Sequence, residues 1–79
     1  MNFNYENLKN FSLSLKLKKL RWLNGLSQVK LAEKAGCSRG AISKWERGLC
    51  LPKGVMLEKI RVFYNLPLDF FINDEEAIC

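Results

Sequence analysis

Seventy-nine residues carry thirteen Lys and Arg against eight Asp and Glu, a net charge of +5, with three cysteines and no histidine. A chain of this length supports one domain with a thin core, since folding at this size buries only about 60% of the surface that the unfolded chain exposes. No run of about 18 apolar residues is present to span a membrane, the opening MNFNYENLKNF lacks the positive-then-apolar order of a secretion signal, and a zinc site or histidine-based catalyst would lack its ligands.

The expectation is therefore a single soluble, cytoplasmic domain over 1–79, with no room for a second, ligand-sensing domain. Cys37, Cys50 and Cys79 show no CxxC pairing and read as reduced thiols. Residues 1 to 11, with Phe3, Tyr5 and Phe11, precede the first periodic segment. A brief alternation, FSLSLKL, gives way to Leu13, Leu17 and Leu20 at i, i+4 and i+7. That spacing predicts a helix from about Ser12 or Ser14 to Leu23, ended by Asn24 and Gly25 as a left-handed cap.

In the next segment Ser27 is a good N-cap, Leu26 and Leu31 occupy the two positions of a hydrophobic staple, and Gly36 closes the helix after two turns. Ala32 and Ala35 keep its inward side small, which lets another helix pack closely. Only Gly36 and Cys37 separate it from the next cap, Ser38, and the helix that follows stops at Gly48. So short a joint with a glycine is the connection of a helix-turn-helix. A fourth helix is predicted from about Val55 to Tyr64, using Leu57, Ile60, Phe63 and Tyr64, and a short fifth one, LDFFI, follows Pro67. Five short helices make an all-α fold.

On the third helix Ile42, Trp45, Glu46 and Leu49 fall on one stripe and Arg39, Gly40, Ser43, Lys44 and Arg47 on the other. The first stripe should pack, with Trp45 as core. Glu46 then needs a partner, because an unpaired buried carboxylate is expensive, and Arg21 near the end of the first helix is the best candidate. The outer stripe carries cations and a hydroxyl, no acid, and a glycine that costs a helix interior roughly 0.5 to 1 kcal/mol relative to alanine. Arg pairs bidentately with guanine, Lys or Ser reaches base edges or phosphates, and a missing side chain lets the helix axis approach a major groove.

Charge is distributed to match. Residues 9 to 61 hold every Lys and Arg with three glutamates, a net of +10, whereas residues 62 to 79 carry four acids and no base. One part can face a polyanion while the other avoids it. A merely solvated basic face is the bland alternative; an anionic-membrane helix is disfavoured because the bases are spread over several capped short helices.

The run LSQVKLAEKAGCSRGAISKWERG resembles the Cro/C1-type (XRE-like) helix-turn-helix family, and its flanks LKKLR and LEKIRVFYNLPLDFF are similar to that family's first, fourth and fifth helices. The likeness covers about residues 13 to 72, leaving 1–11 and the acidic tail 73–79 as extensions. It implies a compact five-helix, lambda-repressor-like DNA-binding domain. It further implies base-reading roles for Arg39, Gly40, Ser43 and Lys44, and phosphate contacts from Ser27, Gln28, Ser38 and Lys53. Arg47 either reaches a phosphate or flanks the helix end. Arg21 and Glu46 match the family's internal ion pair.

Departures from the family pattern are Leu49 and Leu51 in place of polar or basic loop residues, Arg61 in place of alanine, and Pro67 in place of a Ser or Thr cap. Trp22 also departs: it either covers the N-terminal segment or marks a partner surface. One such domain reads only about four or five base pairs, so the expected form is a homodimer on a palindromic double-stranded operator with half-sites about 34 Å apart. Leu66, Leu68, Phe70, Phe71 and Ile72 are the expected interface, the alternative being that Phe70 or Phe71 closes the monomer core. The implied function is a sequence-specific transcriptional regulator of phage-repressor, restriction-modification or toxin–antitoxin type, without cofactor, metal or enzymatic activity. The alternative is an antitoxin- or adaptor-like module whose main ligand is a protein, such as a toxin or antirepressor.

Overall fold

The computed structural model describes residues 6–71. A 3₁₀ turn, Glu6–Asn10, precedes four helices: α1 (Leu13–Leu23), α2 (Gln28–Ala35), α3 (Arg39–Glu46) and α4 (Gly54–Phe63), and no strand occurs among the described residues. Helices of eight to eleven residues are marginal alone, so their ends and their packing must stabilise them. Three begin on serine: the hydroxyls of Ser12, Ser27 and Ser38 accept the backbone N–H of Leu15, Lys30 and Ala41 at 3.4, 3.0 and 3.1 Å. Each such cap contributes about 1 kcal/mol.

All four helices end in one way. The N–H of Leu26, Cys37, Leu49 and Leu66 turns back to the carbonyl five residues earlier, at 2.9 to 3.0 Å. This closure needs a left-handed residue just before it, supplied by Gly25, Gly36 and Gly48 and, at α4, by Asn65 with φ 56°. The core then forms from Leu13, Leu17 and Leu20 of α1, Leu31 and Ala32 of α2, Ile42 and Trp45 of α3, and Leu57, Ile60 and Tyr64 at α4. α3 packs on both α1 and α2, and α2 also on α4.

Several expectations change here. Residues 68–71 form turns, with one bond from Phe70 N–H to the Pro67 carbonyl at 3.1 Å, where a fifth helix was expected. Pro67 supplies no capping side chain, and one turn fixes several dihedrals for a single bond. Ile72 lies outside the described residues. Leu49, expected on the packed stripe, is 57% exposed, because Gly48 turns the chain before it. Leu66, Phe70 and Phe71, expected at a dimer interface, are buried in the monomer, the two rings edge to face at 5.0 Å between centres. Leu68 alone of the described members of that set is open, at 84%. Conversely Leu8, in a segment for which no element was predicted, is buried against the same core. Cys37 is a free thiol, but Cys50 is disulfide-bonded, which corrects the reading of three reduced thiols.

Because Phe70 belongs to the monomer core, Phe70→Leu should lower stability by about 1 to 2 kcal/mol. Urea unfolding followed by far-ultraviolet dichroism should show this loss at every protein concentration. A loss confined to high concentration would return Phe70 to an intermolecular surface.

Candidate nucleic-acid interface

The site is organised by a group at its back. Arg21, in the last turn of α1, donates from Nε to Glu46 Oε2 at 2.7 Å and from Nη2 to Glu46 Oε1 at 2.9 Å. Its third donor, Nη1, reaches the Leu26 carbonyl at 2.9 Å, and Gln28 Nε2 donates to Glu46 Oε1 at 3.2 Å. The last residue of α3 is thereby tied to the end of α1, the connecting turn and the first residue of α2. The Glu46 side chain is 2% exposed and that of Arg21 12%. The bond to Glu46 raises the Arg21 pKa from its ordinary value, although burial opposes that shift.

With Ile42, Trp45 and Glu46 held inward, Arg39, Gly40, Lys44 and Arg47 are exposed and Ser43 is half-buried. Ser27 and Ser38, both exposed, use a lone pair for their caps and keep a hydroxyl proton to donate elsewhere. Lys53, exposed, stands at the N-cap position of α4 with no side-chain capping bond. Neither α2 nor α3 has an acid in its first turn, so their positive ends are left uncompensated. Among the described residues no carboxylate pairs with Arg39, Lys44, Arg47 or Lys53. A Cβ on Gly40 would meet only Ser38 Oγ, at 4.0 Å, so internal packing does not require a glycine there.

Sequence reasoning placed Gln28 toward a phosphate and missed its bond to Glu46, for which no local signal exists across eighteen positions. It also left Arg61 unexplained. Arg61 bonds Glu58 from two nitrogens and the Leu66 carbonyl from Nη1 at 2.9 Å, which repeats at α4 what Arg21 does at α1. The i, i+3 spacing of Glu58 and Arg61 was the available signal.

Among the described residues no group of Cys, Asp and Glu is arranged to hold a metal, and no helix is long and apolar enough to cross a membrane. Residues 17–71 match the helix-turn-helix family. Over 63 residues the chain is 41% identical to the HTH-type transcriptional activator BcrR of Enterococcus faecalis, covering 80% of this chain and 31% of that protein. Over 72 residues it is 38% identical to the HTH-type transcriptional regulator SutR of Escherichia coli K12, covering 91% of this chain and 40% of that one. The chain thus matches about a third to two fifths of the length of these curated relatives.

Glu46→Ala should destabilise the fold by about 3 to 5 kcal/mol, because a largely buried guanidinium loses its counter-charge. Gly40→Ala should do the reverse, adding roughly 0.5 to 1 kcal/mol. Thermal and urea melts of both variants read the two effects; a Glu46→Ala loss below about 1 kcal/mol would demote the pair to a surface contact.

Proposed function

We propose, because the chain belongs to the helix-turn-helix family of XRE type, that this domain binds double-stranded DNA in a sequence-specific way and regulates transcription. The observation that carries this reading is the outer face of α3, whose cations are exposed, unpaired with carboxylates among the described residues, and backed by the Arg21–Glu46–Gln28 group. A face used only for solvation has no reason to exclude acids, and a rigid one is needed if side chains are to meet base edges. In this reading Arg39, Ser43 and Lys44 enter the major groove, with Gly40 allowing close approach. Ser27, Ser38, Arg47 and Lys53 hold the flanking phosphates. Gln28 is shared between the ion pair and the backbone. The role belongs in the cytoplasm.

Recognition by one such unit is short, so the operator is a palindrome bound by a homodimer. Leu66, Phe70 and Phe71 are spent on the core, which leaves Leu68 with the exposed Val55 and Val62 of α4 as the apolar surface for pairing. Repression follows where the operator overlaps a promoter. A protein partner, of toxin or antirepressor type, is favoured by a separate observation: Trp22 is 56% exposed beside Phe11 and Leu23, with the Lys18 and Lys19 ammonium groups over the two rings.

Selection of bound duplexes from a random pool tests the reading; a palindromic consensus is expected, and a pool with no enrichment contradicts it. On the selected site Arg39→Ala should cost about 1 to 3 kcal/mol and relax preference at one base pair. Lys53→Ala should weaken binding on every sequence and reduce the slope of log K against log salt by about 1. Leu68→Asp should shift sedimentation toward the monomer and weaken operator binding together; an unchanged dimer would place the interface elsewhere.

A further inference from the structure

The end of α1 carries a groove that the fold leaves open. It holds about 320 Å³ and is lined by Asn7, Leu8, Phe11, Lys19, Trp22 and Leu23, of which Leu8 is buried and Phe11, Trp22 and Leu23 are exposed. We propose that this groove docks an acidic amphipathic helix of a partner protein, and that it does so while α3 lies on DNA. The partner is the one proposed above, given a site and a chemistry; only the second half rests on the DNA reading.

Charge and shape select the occupant. The Lys18 ammonium lies 5.5 Å from the centre of the Trp22 ring and that of Lys19 lies 5.2 Å from the centre of the Phe11 ring, and no acid lines the groove. Neither ammonium has a carboxylate partner among the described residues. An apolar trough rimmed by two such cations is complemented by a helix with apolar anchors on one face and Asp or Glu beside them. Tryptophan suits the anchor position, since it buries a large area with little loss of rotamer freedom. A small molecule is not favoured, because pockets for those bury most of the ligand surface, whereas both rings here stand partly open to solvent. Nor is an unpaired base, because an ammonium group already lies over each ring and Leu8 and Leu23 offer no plane to stack on.

Position decides what docking leaves free. Successive side chains on a helix are about 100° apart, so Trp22 and Leu23 stand about 100° and 200° round α1 from Arg21. Arg21 reaches Glu46 of α3, whereas Leu23 lines the groove with Asn7 and Leu8 of the 3₁₀ turn, which packs on α1. The groove and α3 therefore lie on opposite flanks of α1. The outer stripe of α3 points away from α1, because its inner stripe is what packs there. A helix seated in the groove leaves Arg39, Ser43 and Lys44 uncovered.

Random peptides of about fifteen residues, long enough to present a helical face, are displayed and panned against the full chain. The expected result is enrichment of sequences with apolar residues at i, i+3, i+4 and i+7 and acids beside them. The affinity of the most enriched peptide, read by fluorescence anisotropy, should fall about tenfold or more in Trp22→Ala and as far in the double variant Lys18→Glu, Lys19→Glu. Thermal melts of both variants should match the unaltered chain, because neither change touches the core. On the chain bound to its selected duplex, peptide affinity should change by less than about twofold, as for independent sites.

Enrichment of basic peptides or of none overturns the docking, as does an affinity that survives either variant. Tighter binding of a single-stranded oligonucleotide or of phosphatidylserine vesicles, lost in Trp22→Ala, would assign the groove to those instead. A gain of about tenfold on removing residues 1–5 would make that segment the groove's own occupant and overturn the proposal likewise. Displacement of the peptide by the duplex overturns simultaneous binding alone. If the chain binds no duplex, the DNA reading fails, while the panning still decides the groove.

Discussion

The buried ion pair between Arg21 and Glu46 is the constraint on which the orientation of α3 and its outer face depends. Taking two charges out of water costs several kcal/mol each, and their attraction offsets this only where the remaining donors and acceptors are also satisfied. Here they are. The guanidinium uses Nε and Nη2 on the carboxylate and Nη1 on the Leu26 carbonyl, and Gln28 adds a third donor to Glu46. An apolar contact at the same place would allow α3 to slide or rotate against α1. A planar fork on a planar carboxylate does not, so the direction of Arg39, Ser43 and Lys44 follows from the geometry at Glu46.

The same economy governs the helix ends. Helices this short leave a large share of their backbone groups outside any intrahelical bond. Serine oxygens take up donors at three N-termini, and the backward bond of the residue after each left-handed turn residue takes up a carbonyl at all four C-termini. Arg21 and Arg61 add a guanidinium at two of those ends, each gripping the carbonyl of the residue that makes the backward bond. The turns between helices are thus locked from both sides, and rigid turns let a thin core hold four helices in fixed relation.

Caps and stops are local chemistry, which is why helices starting after Ser27 and Ser38 and stops at Gly25, Gly36 and Gly48 were legible residue by residue, while the first start was legible only to within Ser12 or Ser14. The partnership of Arg21 with Glu46, across twenty-five positions, was legible for another reason: a glutamate on an otherwise apolar stripe demands a cation, and few cations point inward. Periodicity misled where it was carried past a stop, as for Leu49, whose spacing fits a helix that Gly48 has already ended. It was also blind to which side of LDFFI is occupied, because adjacent Phe70 and Phe71 cannot share one face of a helix, yet both rings are buried once the segment is a turn. Gln28 and Leu8 act through contacts with distant elements and leave no trace in their own neighbourhoods.

Gly40 shows the division between inside and outside most clearly. Inside the fold its bare backbone serves nothing: no atom lies close enough for a Cβ to disturb, and its conformation is ordinary helix. The roughly 0.5 to 1 kcal/mol that glycine costs there is of the same order as the Ser38 cap two residues earlier contributes, so the helix tolerates it. The neighbouring cations follow the same logic, since among the described residues Arg39, Lys44 and Arg47 lack the carboxylates that Arg21 and Arg61 possess. Arg21, Glu46 and Arg61 are paired within the fold, and among the described residues the cations on the outer face of α3 are not. A glycine without an internal purpose, among cations with no carboxylate partner in the described residues, is what the proposed function would require of a face that a polyanion approaches close to the helix axis.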